Sequence, residues 1–405
     1  MRKVLVCFLL SVLVLCGILF QGAEIGAEGE REFGEIAFEH VVHLSQNIGE
    51  RVTGTSGEEE ARGYIYKTFE ELGYNTKVQP FSFTSRNTTV HSSNVVAVKP
   101  GLLDQQVIIG AHYDTVKGVE GVDDNASGVG VMLEVAERIK NIDTPYTVLF
   151  IAFGAEEVGT KGSKHYVSEM SETDIINTKA MINLDSLVVG DYMYIYGGLD
   201  KKGWVRELGL NISEDLGINL QTNPGLNPAY PKGTTGNWSD HAAFHLAGIP
   251  YAYLESTNWE IGDLDGYTQT EKHGAIWHNP AKDNMKFIQS EFPGRMDRLN
   301  SYSNVLTGLV LQLVATEPSS ITNMKKLIEY YEDEGEFKGD RVAHSLTMHL
   351  TAVDYYEEKK LAKKFVKHME GFKLMLEQQK VNGLISEKVY SILKADTDSL
   401  IAKWQ

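Results

Sequence analysis

The chain has 405 residues, 42% of them apolar and 23% charged, which is enough for one large domain plus a small one of ordinary soluble globular composition. Its formal net charge of −17 argues against nucleic acid as a partner, because phosphate binding needs a basic surface. Its two cysteines, Cys7 and Cys16, both fall in the N-terminal segment described next, so the remainder has neither a disulfide nor a thiol nucleophile.

Arg2 and Lys3 precede a long apolar run from Val4 to Phe20, and the small residues Gly22, Ala23, Gly26 and Ala27 follow it. That is the pattern of a secretory signal, assigned to residues 1–27 with cleavage after Ala23 or Ala27. It predicts a secreted, extracellular protein, with association to the cell surface left open. An uncleaved anchor is the alternative reading of the same run.

From about Gly34 to Thr316, residues 34–316, helical and strand patterns alternate. Glu58–Leu72 is predicted as an amphipathic helix, with Ser56 as its cap and Gly73 as its stop. Strand-like runs follow at Thr76–Phe83, Ser93–Lys99, Gln106–His112, Thr147–Gly154, Ala180–Leu187 and Tyr192–Tyr196, with a helix over Ser127–Asn141. Such alternation predicts an α/β fold with a mostly parallel central sheet sandwiched by helices, binding its ligand beyond the carboxyl ends of the strands.

A second region begins near Glu317-Pro318-Ser319-Ser320. Helical periods appear at Met324-Leu327-Ile328-Tyr331, Val342-Leu346-Leu350-Val353 and Leu361-Phe365-Met369-Phe372-Leu376, and a last helix is expected over Ser386–Trp404. Residues 321–405 are therefore read as an antiparallel, all-α helical bundle. Its histidines, His344, His349 and His368, are read as packing or surface residues.

Polar groups able to do chemistry stand where the apolar runs of the first region end. His112 and Asp114 follow Val107–Ala111, Asp123-Asp124-Asn125-Ala126-Ser127-Gly128 comes ten residues later, Glu156-Glu157 closes Val148–Ala155, and Asp185 closes the next run. Ser239-Asp240-His241 opens a helix, and Trp277-His278-Asn279-Pro280 lies in the last turn region. Taken singly, each of these carboxylates reads as a cap or a solvated turn, and each histidine as structural. Taken together they offer His, Asp, Glu, Asp and His plus a spare Glu, a set that suits two metal ions sharing one aspartate. No Gly-x-Ser-x-Gly elbow and no His-Glu-x-x-His motif is present, which removes serine hydrolysis and that class of metalloprotease.

These motifs, together with the opening segment Leu44-Ser45 through Arg51-Val52-Thr53-Gly54-Thr55, resemble the di-zinc aminopeptidases of clan MH, which also include glutaminyl cyclases and the transferrin receptor ectodomain. The resemblance runs from about His43 to Asp297. It implies that His112 and Asp185 hold one Zn²⁺, that Glu157 and His278 hold the other, and that Asp124 bridges them. It further implies that Asp114 orients His112, that Glu156 is the general base, and that the peptide bond after Asp124 is cis. The reaction implied is removal of N-terminal residues from peptides with a free N-terminus, by a water activated on two zinc ions.

Two positions depart from the family pattern. Trp277 stands where some family aminopeptidases place an oxyanion-stabilising tyrosine, and Asn279 follows His278 with the next acid, Asp283, five residues on. Glutaminyl cyclases also place Trp before the last histidine, so a cyclase-like zinc acyltransferase is the enzymatic alternative. A metal-free binding protein on the same fold is the non-enzymatic one. Asp263 and Asp265 could hold Ca²⁺, but nothing else in the sequence supports that ion, and the preferred reading is an exposed acidic loop. Gly335-Glu336-Phe337, His349-Leu350, Val366–Phe372 and Ile385–Lys388 resemble the FIMAH module of secreted bacterial proteins. That likeness implies attachment to cell-wall material or a partner protein; a bundle that only packs against the peptidase is the alternative.

Overall fold

The computed structural model describes residues 31–101, 103–315, 321–333, 335–339 and 341–404. The expected signal, both cysteines and the junction at Glu317–Ser320 lie outside the described residues. Among the described residues no helix is long and apolar enough to cross a membrane.

Eight strands form one sheet in the order β1-β2-β4-β3-β5-β8-β6-β7. They are β1 (Asn75–Ser85), β2 (Thr88–Lys99), β3 (Leu103–His112), β4 (Tyr146–Phe153), β5 (Thr178–Leu184), β6 (Tyr192–Gly197), β7 (Leu220–Gln221) and β8 (Tyr251–Thr257). The four central strands β4, β3, β5 and β8 run parallel, while β1, β2 and β6 add antiparallel pairings on the flanks. All four central strands therefore end on one edge of the sheet, the edge where a parallel sheet collects its ligand. The α/β class and the parallel centre are as expected; β7 and β8 are strands that the sequence reading did not include.

Alternation along the strands divides the packing between two faces. Val107, Ile109, Val148, Phe150 and Ala152 pack with helices Glu35–Val42, Ser56–Glu71, Gly128–Ile139 and Arg298–Ala315, while Ile108, Leu149, Ile151 and Phe153 pack with Phe244 and the segment around Tyr166. A fully buried side chain of this size contributes roughly 1.5–3 kcal/mol, so the central strands are firmly held and their ends make a rigid platform.

Helix Ser56–Glu71 starts two residues before its predicted bound. Ser56 is not its cap: Thr55 occupies that position without a side-chain cap bond, and Glu58 instead accepts the Gly54 N–H at 2.6 Å. The helix stops at Gly73, whose φ of 88° suits a residue without Cβ.

The C-terminal helices Ile321–Asp333, Val342–Glu358, Ala362–Val381 and Glu387–Trp404 enclose their own core of Met324, Ile328, Leu346, Leu350, Phe365, Met369, Phe372 and Leu376. The helical periods read from the sequence are the buried stripes, except that Leu361 stands exposed just ahead of helix Ala362–Val381. His349 Nε2 lies 2.9 Å from the His368 carbonyl, and His344 is exposed.

Candidate metal centre

Three central strands supply groups directly. β3 delivers His112 as its last residue, β4 runs through Ala155 (φ 58°) into Glu156 and Glu157, and β5 runs into Asp185 and Ser186 (φ 54°). His278, itself at φ 58°, comes from the loop ahead of helix Met285–Glu291. Left-handed backbone at non-glycine residues costs roughly 1–3 kcal/mol each and gathers where side chains must be aimed.

Asp124 lies in the loop between β3 and helix Gly128–Ile139, and the Asp124–Asn125 peptide is cis, as expected. The Asn125 side chain donates to the Leu184 carbonyl at 2.9 Å and accepts the Gly128 N–H at 2.9 Å, which ties this loop to the end of β5. A Cβ on Gly128 would come within 2.4 Å of Asn125 Oδ1, so only glycine permits that approach.

The two oxygens of Asp124 address different imidazoles. Oδ1 lies 3.1 Å from His112 Nε2, and Oδ2 lies 3.3 Å from His278 Nε2. His112 Nε2 is also 3.3 Å from Asp185 Oδ1, and His278 Nε2 is 2.9 Å from Glu157 Oε2. These separations approach the roughly 3.3 Å edge of a tetrahedron built on bonds of about 2 Å. Ligand atoms of His112, Asp124 and Glu157 all lie within 4.8 Å of one another. Two imidazoles among carboxylates, with no Lys or Arg among the described residues that line the space, are a donor set that fits zinc.

The electrostatics describe a site built for positive charge. Burial works against charging His112, but Asp185, Asp114 and Asp124 outweigh it and raise its pKa well above the ordinary value. Hydrogen bonds to Asp124 and Glu157 push His278 up to about 11. Against the upward push of burial, His112 and His278 hold Asp124 well below the carboxylate range. Burial and the Asp124 charge raise Glu157 to about 7. Here protons on the imidazoles sit where a cation would otherwise balance the carboxylates.

His112, Asp124, Glu156, Glu157, Asp185 and His278 all line one cavity of about 430 Å³. Glu156 is 9% exposed. Burial, opposed by His112 and reinforced by Asp240, Asp185 and Glu157, raises its pKa well above the ordinary value. The His278 side chain is half-exposed, which leaves the cavity open on that side. Trp277 lines the cavity too, and its buried indole N–H has no hydrogen-bond partner among the described residues.

The supporting residues are only partly those expected. His112 Nδ1 faces Asp114 twice, at 3.2 Å from its carbonyl and 3.6 Å from Oδ1, so the nearer partner is the main chain. The Asp114 carboxylate chiefly accepts the backbone N–H of Glu156 at 3.0 Å and the Thr53 hydroxyl at 2.8 Å. Asp283 does not reach His278; it accepts the backbone N–H groups of Asp123 at 2.8 Å and Asp124 at 3.3 Å. His241 lies apart from the ligands, stacked on Tyr253 with Nε2 3.1 Å from the Gly236 carbonyl, and burial lowers its pKa to about 3. Asp263 and Asp265 join no cluster of three metal-binding side chains among the described residues.

Three further residues support the ligands, through partners that their spacing in the chain does not reveal. Ser239 donates to Asp185 Oδ2 at 2.8 Å. Gln269 accepts the N–H groups of Ile276 and Trp277 and donates to Asp123, which anchors the turn bearing His278. Arg51, fully buried, donates to the carbonyls of Tyr113, Glu120 and Gly121, and so ties together the two ends of the loop that runs from His112 to Asp124.

Residues 94–303, just over half of the chain and spanning every candidate ligand, match peptidase family M28. The chain belongs to this family. Residues 321–402 match the FIMAH domain. The chain is 38% identical over 297 residues to the alkaline phosphatase isozyme conversion protein of Escherichia coli (strain K12), a match that covers 65% of this chain and 86% of that protein. It is 31% identical over 247 residues to aminopeptidase YwaD of Bacillus subtilis (strain 168), covering 59% of this chain and about half, 49%, of that relative. In fold it is similar to BSAP, a zinc aminopeptidase from Bacillus subtilis (TM-score 0.59, 20% identity, 72% of this chain and 98% of that one). It is similar in the same way to Porphyromonas gingivalis glutaminyl cyclase (TM-score 0.55, 20% identity, 69% and 99%). Membership of M28, with aminopeptidases among the relatives, supports a peptide-bond hydrolase of the metallo-aminopeptidase kind.

Proposed function

We propose that the chain removes N-terminal residues from peptides, with two zinc ions held by His112 and Asp185 on one side, Glu157 and His278 on the other, and Asp124 between them. The observation that carries this reading is the division of Asp124, one oxygen toward His112 and the other toward His278. When bound, the two ions would supply a water of near-neutral pKa and polarise the scissile carbonyl.

Glu156 takes the proton from the attacking water and passes it to the leaving amine. Trp277 donates its unpartnered indole N–H to the carbonyl oxygen as negative charge develops there. Because an indole donates but does not protonate, Glu156 alone moves the proton.

We read residues 1–27 as an export signal, 34–316 as the catalytic domain, and 321–405 as a module that attaches the enzyme to wall material or a partner protein. Trp277 is the residue that also favours a glutaminyl cyclase. Leucine released from leucine p-nitroanilide, with no ammonia from N-terminal glutamine, supports the peptidase; the reverse pattern supports the cyclase. The base is tested by Glu156→Gln, which is expected to keep two zinc ions per chain while hydrolysis falls at least about a thousandfold.

A further inference from the structure

Residues 321–405 carry 14 basic and 14 acidic side chains, so the whole net charge of −17 falls on the rest of the chain. Within this balanced module the charges are unevenly placed. Lys359, Lys360, Lys363, Lys364 and Lys367 fall within nine residues that contain no acid. All five are exposed, at the turn after helix Val342–Glu358 and along the first two turns of helix Ala362–Val381.

Elsewhere in the module lysines are answered by carboxylates. Lys325 meets Asp354, Lys373 and Lys394 meet Asp398, and Lys380 meets Glu387, all at 2.5–2.8 Å. None of the five clustered lysines forms an ion pair among the described residues, although Lys364 lies over the Tyr356 ring, 5.8 Å from its centroid. Lys363 and Lys364 also stand in the first turn of helix Ala362–Val381, which holds no acid and where the helix dipole disfavours positive charge. Lysine at these positions costs stability, which sets them apart from residues kept for folding. The apolar stripe of the same helix, Phe365, Met369, Phe372 and Leu376, is spent on the module's core rather than left for a lipid surface.

We propose that these five lysines form a binding surface for a linear polyanion with a phosphate in every repeat, through which the module holds the enzyme on wall material. The inference rests on the reading of residues 321–405 as an attachment module and names its ligand class. Lysine carries a compact charge on a flexible stem and can follow a mobile chain of phosphates. A site for one fixed phosphate would favour the planar fork of arginine, and the patch contains no arginine. Neutralising phosphates along such a chain releases its counterions, so the affinity is tied to salt.

The test uses the whole chain and purified bacterial cell walls that carry poly(glycerol phosphate), either intact or stripped of it with hydrofluoric acid. Soluble poly(glycerol phosphate), DNA and phosphatidylglycerol vesicles are titrated in parallel. The chain is expected to sediment with intact walls at least about tenfold better than with stripped ones, and to lose affinity for the soluble polymer as salt rises. A variant combining Lys359→Gln, Lys360→Gln, Lys363→Gln, Lys364→Gln and Lys367→Gln is expected to lose about tenfold or more. Its slope of log Kd against log salt should flatten by about 3. Its unfolding temperature is expected to stay level or rise, because the dipole disfavours the charges removed. If the variant fails to fold, the stripped walls and the salt series on the unmodified chain still decide the matter. Equal affinity of variant and unmodified chain overturns the proposal, as does tighter binding to DNA or to the vesicles at matched phosphate and salt. Equal binding to intact and stripped walls overturns it too, but leaves the module as an attachment device with another ligand. Binding to neither kind of wall overturns attachment to wall material, and this proposal with it.

Discussion

The Asp114 carboxylate accepts the backbone N–H of Glu156 at 3.0 Å. One aspartate thus touches both halves of the proposed chemistry, since His112 Nδ1 also lies 3.2 Å from the Asp114 carbonyl. Asp114→Ala should lower kcat by about 10- to 100-fold and weaken zinc binding by a similar factor, the usual penalty for removing a partner that orients ligands. Asp114→Asn keeps one acceptor oxygen and should lose less. Steady-state kinetics paired with zinc titration would check both.

The unpartnered indole N–H of Trp277 gives a second prediction. If it donates to the developing oxyanion, Trp277→Phe should lower kcat by about 10- to 1,000-fold with KM little changed, as for other single donors of this kind. An equal rise in KM with kcat preserved would instead make Trp277 a wall of the cavity.

Arg51 is fully buried and spends its N–H groups on five carbonyls, those of Tyr113, Leu44, Gly49, Glu120 and Gly121. Burial lowers its pKa to about 10, with Asp283, Asp114 and Asp124 opposing, and it stays charged at neutral pH. Arg51→Met should destabilise the chain by roughly 3–5 kcal/mol, because it leaves those carbonyls and the acidic groups around them without their donor. Arg51→Lys should recover little, since an ammonium cannot reproduce the planar fork. Urea unfolding would measure both.

In the C-terminal helices burial alone raises Asp396 to about 7. Its folded pKa lies above the unfolded value of about 3.9, so the folded state binds the proton more tightly. The stability this adds is fully present below pH 4 and is lost as pH rises through 7. Asp396→Asn should therefore match the wild type near pH 4 and exceed it by roughly 2–4 kcal/mol above pH 7. Thermal unfolding of the full chain from pH 4 to 8, followed by a probe in the helical region, would reveal a pH-independent gap if Asp396 stays ionised.

The sequence made legible whatever depends on local pattern. His112, Glu156, Glu157 and Asp185 could be placed together because each ends an apolar run long enough to be a buried strand, and parallel strands share an edge. The stripe Phe365-Met369-Phe372-Leu376 could be read as a core face for the same reason. β8 could not, because Tyr251–Thr257 carries Glu255 in a segment that is buried throughout, where charge normally signals solvent. Glu255 is kept there by the hydroxyls of Tyr196 and Tyr253, the first of them on another strand. The Asp283 contact with Asp124 spans 159 positions and the Ser239 contact with Asp185 spans 54, and spacing in the chain reveals neither. Ser56 has the residue type of a cap, but the Glu58 carboxylate closes that end of the helix by accepting the Gly54 N–H, a bond that residue type alone does not signal.

The most direct measurement is anomalous diffraction at the zinc edge from zinc-loaded crystals of the whole chain. The account predicts two peaks per chain, one beside His112 and Asp185 and one beside Glu157 and His278, each within bonding distance of a different oxygen of Asp124. A single peak, or two that share no contact with Asp124, would contradict it.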